Sequence, residues 1–254
     1  MQPQLELETF GRLKISLDGA PLHGVLSAKG KGMLVYLAAN RHEHSRDKLA
    51  TYFLEDFQPT TSFRRELSEI KQALGDCLET TYTTVKLCDD INCRFDAELL
   101  ERHIPAIGRI PAEQLSRDLV KQLEEVLLLY KGEFLDGLYI NTVQFQAWAM
   151  LLNINFRSLV TTGWDKVVEY YLVTGDYQRG VLQCLRLLSV DDLRSESYRK
   201  MMLLLANLGQ SRAAIDVYEK GKQRLKEDLG MDPTPETVEL YYQIRNGSFP
   251  ESRI

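Results

Sequence analysis

The chain has 254 residues, 44% of them hydrophobic and 26% charged, with a formal net charge of −5. That balance excludes disorder, collagen-like repeats and a disulfide-dense mini-fold, and the length suits two ordinary domains. With 12 basic against 13 acidic residues up to position 94 and 19 against 23 beyond it, neither half has the basic excess of a non-specific nucleic-acid binder, so any DNA contact must be local.

The sequence opens with alternation: Leu5 and Leu7, then Leu13, Ile15 and Leu17 among polar neighbours, ending at Asp18-Gly19. A period of two closed by a turn pair predicts a β-hairpin with one buried face. From Ser27 the spacing becomes helical. Met33, Leu34, Leu37 and Ala38 define one helix, and Ser45 stands where it would cap a second that carries Leu49, Ala50 and Phe53. A third helix is predicted from Thr61 to Leu74, with Gly75-Asp76 as its stop. Its Phe63, Leu67, Ile70 and Leu74, at about 100° per residue, share one narrow stripe that must be buried. The opposite face holds Thr61, Arg65, Ser68 and Gln72, flanked by Arg64 and Lys71 on one side and Glu69 on the other. Leu78 to Thr80 and Thr84 to Leu87 are short, Thr-rich and β-prone, and enclose a turn at Thr81-Tyr82-Thr83.

These parts make an α+β winged helix-turn-helix with a small antiparallel sheet. In such a fold the third helix turns its outer face toward a DNA major groove while the hairpin reaches the neighbouring backbone or minor groove.

Beyond Phe95 helical periodicity takes over and the sequence repeats. Gly175 and Gly209 lie 34 residues apart, and the same offset pairs Trp164 with Tyr198, Val167 with Met201, Tyr171 with Leu205, Gly180 with Ala214, Cys184 with Tyr218, and Leu187 with Gly221. That is the tetratricopeptide period. Each unit is expected to be two antiparallel helices, the glycine ending the first and the small residue letting the second approach closely; such pairs bury their apolar faces only by stacking. The expected architecture is mainly α: a winged-helix domain over residues 1–94, an all-α tetratricopeptide-like domain over 95–246 and a C-terminal tail over 247–254.

In the first domain Leu5-Glu6-Leu7, Phe10-Gly11, Leu34-Val35-Tyr36-Leu37-Ala38, Ser45-Arg46-Asp47-Lys48-Leu49-Ala50 and the run Leu67 to Gly75 carry a resemblance; in the second, Leu129 to Gly137, Trp148, Gly175-Asp176-Tyr177 and the run Leu229 to Thr237 do so more strongly. On these residues, from about Leu5 to Ile244, the chain resembles the bacterial transcriptional activator family whose simplest members are the Streptomyces antibiotic regulatory proteins. The resemblance implies an OmpR-like winged helix followed by a tetratricopeptide-like activator domain. It also implies a transcription factor that binds double-stranded DNA at direct repeats near promoters, self-associates there and contacts RNA polymerase. Larger relatives append a nucleotide-binding or phosphopeptide-binding module; this chain is expected to hold neither. The chain departs from the family at Glu66, Glu69 and Ala73, where a recognition helix is usually richer in arginine, and at Asp192, where the family tends to have a proline. Fewer cations release fewer counterions and lower affinity for DNA at physiological salt.

Arg65, Ser68 and Gln72 are the base-reading candidates, since Arg matches guanine and Gln matches adenine in the major groove. Lys29, Lys31, Arg46, Lys48, Arg64, Lys71 and Lys86 are phosphate candidates, which position rather than specify. Thr81, Tyr82 and Thr83 form the wing tip. Trp148, Trp164, Tyr171, Tyr177 and Tyr218 are read as packing between helices rather than as a peptide groove.

Other chemistries find no support. Cys77, Cys88, Cys93 and Cys184 lack the Cys-x-x-Cys spacing of zinc sites and read as structural thiols, and His42-Glu43-His44 has no third ligand at a recognisable spacing. Gly175 to Gly180 and Gly19 to Gly24 have the glycine spacing of a phosphate loop, but Val181 and Val25 replace the lysine. The reading is therefore no enzyme, no metal and no cofactor. No apolar run nears the roughly 20 residues that span a bilayer, and the N-terminus lacks a signal region, so a cytoplasmic chain without membrane association is expected. The alternative to a regulator is a non-DNA-binding adaptor or scaffold that binds proteins through its helical repeats.

Overall fold

The computed structural model describes residues 2–22, 24–54 and 59–250. The chain forms two compact units, residues 1–101 with 129–156, and residues 102–128 with 157–254.

The first unit begins with β1 (Gln4–Glu8), β2 (Lys14–Leu17) and β3 (Ala20–Pro21), followed by α1 (Ala28–Ala39), β4 (His44–Ser45), α2 (Arg46–Phe53), α3 (Pro59–Leu74), β5 (Leu78–Thr80), β6 (Thr84–Leu87) and β7 (Asn92–Phe95). The expected hairpin is present: β1 pairs antiparallel with β2, opposing Leu5 to Leu17 and Leu7 to Ile15. Asp18 and Gly19 both adopt positive φ, 49° and 79°, which is the two-residue turn that matches strand twist and favours Asp-Gly. The sheet is mixed rather than wholly antiparallel, because β7 pairs parallel with β1 on its far side. Strand order is β3-β2-β1-β7 in this sheet and β4-β6-β5 in the second, whose third strand was not legible because His44-Ser45 is too short to show a period.

The helices α1, α2 and α3 pack on one another and against the β4-β6-β5 sheet. The stripe of α3 is buried as its spacing requires: Phe63, Leu67, Ile70 and Leu74 are at most 3% exposed, each worth about 1.5–3 kcal/mol of burial. Gly75, at φ +57°, ends the helix. Ser27 caps α1 by accepting from Gly30 N at 3.0 Å. Ser45 holds the cap position of α2, but its hydroxyl makes no cap bond; the chain there is held instead by Arg46 N donating to Thr83 O at 2.9 Å.

Beyond β7 the chain is helical: α4 (Asp96–Gly108), α5 (Arg117–Leu127), α6 (Val143–Thr174), α7 (Tyr177–Val190), α8 (Ser195–Asn207), α9 (Ser211–Leu229) and α10 (Pro235–Arg245). Residues 129–156 complete the first unit. Trp148 packs its ring 5.1 Å from Tyr36 on α1 and 5.7 Å from Phe134, and Thr142 donates to the Tyr52 carbonyl at 2.7 Å. Asp96, 6% exposed, accepts from Thr9 N and Thr9 Oγ1, each at 2.6 Å, and fixes the start of α4 against the end of β1.

In the second unit the 34-residue echo is structural. Gly175 and Gly209 take φ of +75° and +72° as the ends of α6 and α8, and Trp164, Tyr198, Val167, Met201, Tyr171, Leu205, Cys184, Tyr218 and Leu187 are all buried. A Cβ on Gly221 would lie 2.6–3.0 Å from the Tyr198 ring, so only glycine lets α9 approach α8 this closely. Burial pushes the Cys184 thiol up to about 12, and its Sγ–H donates to Ser197 O, as suits a packing residue. Asp192, in the turn after α7, accepts from Arg224 at 2.8 Å.

Several carboxylates of this unit are held below their ordinary range. The hydrogen bond from Arg224 lowers Asp192, and that from Arg199 lowers Glu196 against an opposing burial effect. Burial raises Glu169, but hydrogen bonds and charge from Lys166 and Lys200 outweigh it. A carboxylate whose folded pKa is depressed contributes stability that is present above its unfolded pKa and lost as pH falls through the folded one. The urea midpoint followed by circular dichroism is therefore expected to hold from pH 7 to about 5 and to fall below about 4.5, where the unfolded chain takes up protons first. A midpoint that rises on acidification would be contrary to these pairings.

Candidate nucleic-acid interface

The outer face of α3 is open to solvent. Thr61, Arg65, Ser68 and Gln72 are exposed, with Arg65 70% accessible at its side chain. Glu69 faces the same way and lies 3.9 Å from Arg65 Nε. Glu66 does not: it is 1% exposed, turned inward, and its Oε2 accepts from Ser27 Oγ at 2.5 Å while Oε1 lies 3.4 Å from Arg65 Nη2. The sequence placed Glu66 among acids that weaken phosphate binding. Its position gives it another role, joining the α1 cap to α3 and steadying the base of Arg65. Glu66→Ala leaves the Ser27 hydroxyl and cap without that acceptor and is expected to cost about 1–3 kcal/mol in denaturant unfolding. Glu66→Gln retains an acceptor and should recover much of the loss; equal losses from both variants would contradict this bonding.

The phosphate candidates divide by their partners. Arg46 donates Nη1–H to the Thr81 carbonyl at 2.9 Å, so it braces the wing. Lys71 donates to the Leu78 carbonyl at 2.8 Å and lies 3.8 Å from Asp76. Lys86 sits between Asp89 at 3.1 Å and Glu79 at 3.3 Å, and these hydrogen bonds raise its pKa. Lys29, Lys31, Lys48 and Arg64 make no ion pair with a described residue.

The wing is built by its own hydroxyls. Thr81 Oγ1 accepts from Thr83 N at 3.2 Å and Thr84 N at 2.9 Å, and Thr84 Oγ1 donates to Glu43 Oε1 at 2.6 Å. Thr81 thereby closes the turn, Thr83 offers its carbonyl to Arg46 N, and Tyr82 projects, 92% exposed. Arg46, Arg64, Tyr82 and Thr83 come together around a concavity of about 700 Å³, with Phe63, Ala50 and Asp47 also on its wall. Nothing in sequence spacing joined Glu43 to the wing, since the 41-residue separation becomes a contact only through the β4–β6 pairing. Burial lowers the pKa of His44, and its Nε2–H donates to the Asn40 carbonyl at 2.8 Å.

Residues 95–245 match the bacterial transcriptional activator domain family. The chain belongs to that family. No curated protein sequence matches it. The fold is similar to the solved structure of Mycobacterium tuberculosis EmbR in complex with a low-affinity phosphopeptide, with a TM-score of 0.74 and 19% identity over 97% of this chain. The matched region covers 66% of the EmbR chain, so this family member spans slightly less than two thirds of that length. The expected architecture, a winged helix followed by a tetratricopeptide-like domain, is the one found, and the resemblance to the antibiotic regulatory proteins holds. The matching family is one of bacterial transcriptional activators. Among the described residues no helix is long and apolar enough to cross a membrane.

Proposed function

We propose that the protein is a sequence-specific DNA-binding transcriptional activator of the cytoplasm, in which residues 1–94 bind direct repeats near promoters and residues 95–246 form a platform for RNA polymerase. The exposed face of α3 carries this reading: Arg65, Ser68 and Gln72 stand free of the protein's own bulk, beside a concavity that gathers Arg46, Arg64, Tyr82 and Thr83. Arg65 and Gln72 supply the forked donors and the amide suited to base edges, and the cations lining the concavity are suited to a phosphate. Lys71 and Lys86, already engaged within the protein, contribute less to phosphate contact than Arg64, Lys29, Lys31 and Lys48.

The test is a salt-dependent mobility-shift and footprinting series on the region upstream of the protein's own gene. A protected direct repeat, with affinity above that for random duplex at every salt concentration, supports the activator reading. Affinity indistinguishable from a charge-matched control across the series supports the adaptor reading, which the pairing of Arg65 with Glu69 favours.

A further inference from the structure

The four cysteines differ in what surrounds them. Cys184, in the second unit, donates to Ser197 O, and Cys93 has Arg41 at its thiol. Cys77 and Cys88 have each other. In the β5–β6 hairpin Leu78 opposes Leu87, so the next pair toward the open end is Cys77 with Cys88, and Cys88 N donates to Cys77 O at 2.9 Å. A directly opposed antiparallel pair joined by backbone bonds sets its Cα atoms about 5.5 Å apart, inside the roughly 4.4–6.8 Å that a disulfide bridges. The side chains meet as well: the Cys77 thiol is hydrogen-bonded to that of Cys88, and both are free.

This pair sits at the foot of the wing. Cys77 closes the short 3-10 turn Gly75–Cys77 that follows α3, and Cys88 comes directly after β6. A bond between them encloses β5, Thr81-Tyr82-Thr83 and β6, and ties β6 to the exit of α3. The two thiols differ in access, since Cys77 is 4% exposed and Cys88 is half-buried. Burial above all, then the neighbouring Cys88, Asp18 and Asp76, raise the Cys77 pKa. Cys77 therefore stays protonated at neutral pH and is a poor first nucleophile, because the thiolate is the reactive form.

We propose that Cys77 and Cys88 are an oxidation site, a dithiol that a hydroperoxide converts to a disulfide at the foot of the wing. Cys88, the accessible thiol, reacts first. Its thiolate sulfur attacks the peroxide, an S–O bond forms, the O–O bond breaks, and the departing hydroxide is protonated to water. The Cys77 sulfur then attacks the sulfenic sulfur of Cys88; the S–S bond forms, the S–O bond breaks, and the hydroxyl group leaves with the Cys77 proton as a second water. The two thiols together lose two electrons and two protons, and one peroxide is reduced to two waters. In a reducing compartment a bond of this kind is transient and serves sensing rather than structure, and a thiol reductant restores the pair. The inference concerns the hairpin alone and does not rest on the DNA-binding reading.

The test is mass spectrometry of the full chain after brief treatment with hydrogen peroxide under native conditions. Before alkylation the intact mass is expected to fall by about 2 Da, the two hydrogens lost, and dithiothreitol should restore it. Alkylation in denaturant followed by peptide mapping should then give one bridged pair, Cys77 with Cys88, and alkylated Cys93 and Cys184. Cys77→Ser should leave Cys88 as a sulfenic acid that dimedone traps, whereas Cys88→Ser should leave Cys77 unoxidised. If circular dichroism shows that Cys77→Ser does not fold, Cys77→Ala poses the same question with an apolar side chain at this buried position. Alkylation of both Cys77 and Cys88 after treatment of the native chain, or a bridge from either of them to Cys93, would overturn the proposal. So would peroxide-dependent dimedone labelling of Cys77 in the Cys88→Ser chain.

Discussion

Arg65→Ala is expected to lower affinity for the operator by about 1–3 kcal/mol, roughly 5- to 150-fold, and to relax base preference at one position. Arg65 projects from the middle of α3 with 70% of its side chain accessible, and its guanidinium is held from behind by Glu66 at 3.4 Å and from one side by Glu69 at 3.9 Å. Glu66 contributes orientation, since its carboxylate is fixed by Ser27 and cannot follow Arg65 into a groove. Glu69 is more exposed and competes with the DNA for the same cation, so Glu69→Ala is the informative companion: it should raise affinity on all sequences by removing a like charge from the phosphate surface. Lys29→Ala should weaken specific and random DNA alike and reduce the salt slope by about 1. Quantitative mobility shifts on operator and random duplexes separate these effects. Equal losses on both DNAs from Arg65→Ala would remove it from the base-reading set.

Lys200→Ala is expected to destabilise the second unit by about 2–4 kcal/mol, read as a lowered urea midpoint of the helical signal. Lys200 is 5% exposed yet charged, and its Nζ donates to Asp165 at 2.7 Å on α6 and to Glu169 at 3.2 Å one turn later. Breaking a buried pair by removing one partner usually costs about 3–5 kcal/mol because the remaining charge is left unpaired. The smaller figure applies here because Glu169 is 37% exposed and keeps Lys166 at 2.9 Å, which leaves Asp165 as the principal orphan. Lys200→Ala with Asp165→Ala should then be less damaging than the sum of the two single changes. Strict additivity would show that the contact between α6 and α8 does not depend on this pair.

The legible parts of the fold are those in which local periodicity and tertiary packing agree. The stripe Phe63, Leu67, Ile70 and Leu74 could be buried only one way, and that choice placed Arg65, Ser68 and Gln72 outside. The 34-residue echo was likewise readable, because stacked helix pairs repeat the same demands for size: glycine at 175 and 209, bulk at 164 and 198. The illegible parts are long-range bonds between short segments. The parallel pairing of β7 with β1 joins residues nearly 90 positions apart, and parallel strands leave no turn signature between them. Glu66 read as an ordinary surface acid because a heptad position does not reveal a hydroxyl waiting 39 residues earlier. The packing of Trp148 on Tyr36 was similarly hidden, since aromatic spacing within α6 says nothing about which other helix receives the ring.

Selection from a pool of random duplexes, carried out in parallel with the native chain and with a variant bearing Arg65→Ala, Ser68→Ala and Gln72→Ala together, addresses the role of α3 most directly. The native protein is predicted to enrich a repeated motif, while the triple variant retains salt-sensitive binding but enriches none. Recovery of the same motif by both proteins would show that DNA sequence is read elsewhere on the molecule.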